Sequence, residues 1–72
     1  MKNKEFYQGM SIIAGTVARH GYAGIAVDAM DSNGITLSDM IDAGSEEFDL
    51  KPLREEYKLQ GRNLNGLPRK RA

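Results

Sequence analysis

Residues 4–21 read KEFYQGMSIIAGTVARHG, and the spacing of apolar residues in this stretch decides the fold class. Phe6, Met10, Ile13 and Val17 recur at intervals of four, three and four, with Ala14 and Ala18 beside them, which is one apolar face of a helix over Lys4–His20. Asn3 is suited to the N-cap, and Glu5 favours the positive end of the helix macrodipole. Arg19 and His20 favour its negative end, and Gly21 can adopt the left-handed conformation that stops a helix. Gly9 and Gly15 each lower helix propensity by about 1 kcal/mol relative to alanine, so close approach of a neighbouring helix is the reading that justifies them.

Three more helices follow. Ile25, Ala26, Ala29 and Met30 form a helical stripe within Ala23–Asp31, stopped by Asn33-Gly34. The competing strand through Gly24–Val27 would have nothing to pair with. Thr36 followed by Asp39 has capping-box spacing, and opens a short helix Leu37–Ala43 carrying Leu37, Met40 and Ile41 and ended by Gly44. Ser45-Glu46-Glu47 reads as a turn or one helical turn. Asp49 is then the cap of a last helix Leu50–Gln60, with Pro52 in its first turn and Leu50, Leu53 and Tyr57 facing inward. Gly61 closes it. The sequence therefore predicts an all-α domain of three to four short helices over residues 1–61, followed by a flexible basic C-terminal tail over 62–72 that would order on binding.

At 72 residues there is room for one thin core, and without cysteine there is neither a disulfide nor a thiolate metal site to staple it. Helix packing, self-association or a partner must supply the stability, and a homodimer is one expectation. No apolar run is long enough for a bilayer. Glu5 and Gln8 interrupt what would be a signal peptide, so the expected location is cytoplasmic.

The net charge of zero conceals a division. From Asp28 to Glu56 there are nine acidic residues against Lys51 and Arg54, a local balance of −7, while no acidic residue follows Glu56. Charge asymmetry of this kind governs association more than fold.

Little of the chemistry that catalysis needs is present. His20 is the only histidine, so neither a paired-histidine metal site nor a hydrolase triad with a spare base can be assembled, and its place at a helix end is explained by the macrodipole. Ser11, Ser32, Ser38 and Ser45 lack a nucleophile-elbow setting. Asp28 with Asp31 and Asp39 with Asp42 lie at helical spacing and could share a hard cation, but the calcium-loop pattern is not met. Neither an enzyme nor a cofactor is expected.

The expected function is a small non-catalytic interaction protein that binds another protein and modulates or inhibits it, by analogy with the short accessory proteins of phages and mobile elements. Its partner contacts are assigned to Tyr7 and Tyr22, as aromatic anchors, and to Asp39, Asp42, Glu46 and Glu47. Arg62, Arg69, Lys70 and Arg71 are assigned to an anion or an acidic surface. Two alternatives remain: a nucleic-acid-binding regulator using the tail and a helix-turn-helix-like pair around Gly34, and an acidic surface that mimics nucleic acid. Against the first, the helix after Gly34 carries Asp39 and Asp42 and no basic residue, which phosphates would repel.

Overall fold

Asn3 opens the first helix as its spacing indicates: its Oδ1 accepts from the Phe6 amide at 3.1 Å, satisfying one of the free donors of the first turn. The computed structural model describes residues 3–68. In chain order it contains α1 (Lys4–Val17), a π-type turn (Ala18–Tyr22), α2 (Ala23–Ser32), α3 (Leu37–Asp42) and α4 (Glu47–Leu59). The described residues include no strand, only an isolated antiparallel bridge between Arg62 and Pro68. The all-α class is therefore as the sequence indicates, and the competing strand at Gly24–Val27 is helix instead.

Helix ends follow local chemistry. Thr36 and Asp39 form the full reciprocal capping box of α3: the Thr36 hydroxyl accepts from the Asp39 amide at 3.1 Å, and the Asp39 carboxylate accepts from the Thr36 amide at 3.0 Å. At the other end, Gly44 takes φ 81°, so that its amide reaches the Ile41 carbonyl and the Ser45 amide reaches the Met40 carbonyl, closing the helix in a Schellman motif. The same pair of bonds ends α2 and α4.

Gly21 acts as its position in the sequence indicates. It adopts the left-handed conformation, at φ 94°, and its non-helical backbone puts a kink between the first helix and α2. The regular α pattern of α1 runs to Val17, and residues 18–22 form the wider turn that spans the kink.

The expected buried face of α1 is corrected more substantially. The positions that reach the core are Ser11, Ala14, Gly15 and Ala18, flanked by partly buried Tyr7, Met10 and Val17, whereas Phe6 and Ile13 face outward. The small residues turn inward because α1 lies so close to α4 that a Cβ on Gly15 would sit 2.7 Å from the Asp49 carbonyl oxygen. Close approach is thus the role of Gly15, but not of Gly9, around which nothing lies within 4 Å. Across this crossing, buried Ser11 hydrogen-bonds the Gln8 carbonyl at 2.7 Å and Ser45 Oγ at 2.8 Å. The Gln8 amide donates to the Ala43 carbonyl at 2.7 Å.

The core proper is built by Val27, Met30, Ile35, Leu37, Met40, Leu50, Leu53 and Tyr57 around the alanines of α1 and α2. Tyr57 lies fully inside, and its hydroxyl accepts from the Leu37 amide at 3.3 Å, so the polar tip is partnered where water cannot reach. Burial raises its pKa above the ordinary value of 10.

Asp49 is not the cap of α4. The helix begins three residues earlier than Leu50, with Glu46 in the N-cap position, and Asp49 is a buried residue of its first turn. Its carboxylate meets Arg19 Nη1 at 3.3 Å. Pro52 has no amide to return to the Phe48 carbonyl, and Arg19 Nη1 donates there instead, also at 3.3 Å, with its guanidinium 4.1 Å from the centre of the Phe48 ring. A single arginine from the turn after α1 thereby pairs with two acceptors of α4 and packs against its Phe48 ring.

Candidate functional site

Of the partner contacts read from the sequence, three come together. Tyr7, Asp39 and Asp42 line one shallow hollow with Lys4 and Ala43, where the first turns of α1 pass α3. Tyr7 is half-buried and packs edge-on against Phe6, with ring centres 5.3 Å apart. Asp39 is also the capping-box carboxylate, so its charge is shared with the helix end. Glu46 belongs to a neighbouring polar hollow with Gln8, Ser11 and Ser45, and Glu47 forms an ion pair with Arg54 along α4. Tyr22 stands apart, exposed on the π-type turn.

Arg62 is the clearest departure from expectation. Read as an anion contact in a flexible tail, it is committed to the fold. Nη2 and Nη1 donate to the two Asp31 carboxylate oxygens at 2.6 and 3.1 Å, Nε donates to the Gly66 carbonyl, and the guanidinium lies 4.6 Å from the centre of the Tyr57 ring. The hydrogen bond to Asp31 raises its pKa further above the ordinary arginine value. The first part of the expected tail therefore folds back: the Leu64 carbonyl accepts from the Ser38 amide at 2.9 Å, and residues 62–68 form a turn over the α3–α4 end of the core. Arg69, Lys70 and Arg71 lie outside the described residues.

The paired carboxylates are likewise used locally. Asp31 is occupied by Arg62 and Asp39 by its cap, and among the described residues no group of three or more His, Cys, Asp or Glu side chains is placed to hold a metal ion. No described helix is long and apolar enough to cross a membrane.

One surface was not singled out by sequence reasoning. From Phe6 to Ala18 the chain carries no charged residue, although only one side of α1 faces the core. On the opposite side Ile12 is 55% and Ile13 58% exposed, with Gly9 between them and Phe6 and Thr16 exposed on either side. Ile13 also borders a groove between α1 and α2 lined wholly by apolar side chains, among them Met10, Val17, Ile25 and Ala29, and Ile25 is 62% exposed at its rim. A surface helix of a self-sufficient domain ordinarily carries charge on its outer side, and a helix apolar all round is ordinarily covered all round. The signal was present in the sequence as the missing charge, but it was hidden by the assumption that the isoleucines make the core.

Compared with known protein families, curated proteins and solved structures, the chain matches none. The fold and surface themselves define the class: a four-helix domain with one uncharged, apolar helix face left uncovered.

Proposed function

We propose that this protein is a non-catalytic interaction module that works inside the cell by binding another polypeptide and modulating or inhibiting it. The observation that carries the reading is the outer face of α1. Two adjacent, half-exposed isoleucines on a helix without a charge from Phe6 to Ala18 each forgo about half of the roughly 1.5–3 kcal/mol that full burial contributes unless something covers them. The hollow of Tyr7, Asp39 and Asp42 lies on the other side of α1, where it passes α3, and is a separate aromatic and acidic surface. The nucleic-acid alternative loses Arg62, which Asp31 neutralises.

The test is a comparison of tagged wild type with Ile13→Asp, recovered from native cells under identical conditions. Ile13 lies outside the core, so the variant keeps its fold, verified by circular dichroism. Proteins retained by wild type and lost with Ile13→Asp support the reading. Identical sets from a folded variant contradict it.

A further inference from the structure

We infer that the outer face of α1 is covered by a second copy of this chain, docked antiparallel across a two-fold axis between Ile12 and Ile13; the inference rests on the reading of that face as an interface and names its occupant.

The argument begins with what lies along the face. At 100° per residue, Glu5, Gly9, Ile12, Ile13 and Thr16 fall on one stripe opposite the core-facing Ser11, Ala14 and Ala18, and the turn after α1 extends it to His20. All are exposed except Gly9, which has no neighbouring atom within 4 Å on this side. The stripe is self-complementary when a second copy runs the other way. Glu5 then faces His20 and Gly9 faces Thr16, each pair of numbers summing to 25, while Ile12 and Ile13 meet their own copies on either side of the axis. A carboxylate meets an imidazole at each end, and a small residue meets a small one a turn to either side of the axis, on the line along which the two helices face each other. The bulky apolar pair occupies the centre, and the two helix macrodipoles are antiparallel.

Gly9 gains a purpose in this arrangement that the single chain does not give it. It weakens α1 at an open position, and facing Thr16 of a second copy it lets the helices approach as Gly15 lets α1 approach α4. Ile13 of each copy would also reach the apolar groove beside Ile25 of the other, continuing the contact onto α2. Isologous pairing of this kind uses every feature of the stripe twice.

The chain contains no cysteine, so the register can be read directly. Gly9→Cys and Thr16→Cys chains, each checked for helical content, are mixed and oxidised gently, while the solution mass of the unmodified chain is measured by sedimentation equilibrium. The expected results are a mass twice the 8.0 kDa of one chain, and a mixed disulfide between positions 9 and 16 well above its statistical share. Ile13→Asp, present twice per pair, should weaken association by about 100-fold or more. Like-with-like disulfides in excess indicate a parallel pair and overturn the register. A monomer with cross-links at their statistical share overturns the second copy as occupant; if Ile13→Asp nevertheless loses captured proteins, the interface reading stands without it, and if it loses none, both fail.

Discussion

Replacing Gly15 by alanine tests the α1–α4 crossing on which the placement of every other surface depends. The added methyl carbon would lie 2.7 Å from the Asp49 carbonyl oxygen and 3.0 Å from its Cα, both backbone atoms that no side-chain rotation can move away. Relief requires shifting α4, and overpacking of that kind costs about 1–3 kcal/mol, with backbone obstruction at the upper end. Alanine returns about 1 kcal/mol through helix propensity, leaving a net loss of about 1–2 kcal/mol. In a domain of this size that loss lowers the thermal midpoint by roughly 4–16 °C. Gly9→Ala in the same helix makes the same chemical change with nothing within 4 Å, so in dilute protein it should raise the midpoint. Urea titrations and thermal scans followed by circular dichroism measure both. If Gly15→Ala is neutral or stabilising, α4 does not cross α1 at Gly15, and the assignment of inner and outer faces of α1 fails with it.

Other substitutions probe the polar supports. Arg19→Met retains the apolar stem but leaves the Asp49 carboxylate and the Phe48 carbonyl without their donor, for a loss of about 2 kcal/mol by urea titration. Thr36→Ala removes half of the capping box and should cost about 1 kcal/mol, with Thr36→Ser close to wild type in the same assay. Tyr57 gives an alkaline signature. Because burial raises its pKa above 10, both folded and unfolded chains hold the phenolic proton at lower pH; above pH 10 the unfolded chain ionises first, and stability falls as pH rises toward the folded value. Tyr57→Phe should be less stable at neutral pH by about 1 kcal/mol, through loss of the bond to the Leu37 amide, and should show a shallower decline above pH 10 in pH-dependent urea titrations.

Helix boundaries were legible wherever a single residue type does a local job. Asn3, the Thr36–Asp39 box and Gly44 act as their chemistry requires, and α3 and the inward residues of α4 followed from them. Facing was less legible. Size suggested that Phe6 and Ile13 turn inward, but the α1–α4 approach selects Ser11, Ala14 and Gly15, and a hydrophobic pattern does not show which of two apolar stripes is the narrower fit. Asp49 and Arg62 were misread for a related reason. A charged residue near a helix start or in a tail looks solvated until its partner from a distant segment, Arg19 or Asp31, is known. The grouping of Tyr7 with Asp39 and Asp42 could be guessed from residue type, whereas the separation of Tyr22 from them depends on the direction in which the kink at Gly21 sends the chain, which a glycine does not specify.

The most direct test of the account is a photo-cross-linking walk in living cells, with a benzoylphenylalanine placed in turn at exposed positions of three helices. Ile12, Ile13 and Thr16 represent the outer face of α1, Asp28 represents α2, and Lys51 and Glu55 represent α4. The account predicts discrete protein adducts from the three α1 positions and little from the rest. Adducts of equal yield from every helix, or adducts from α2 and α4 with none from α1, would contradict it.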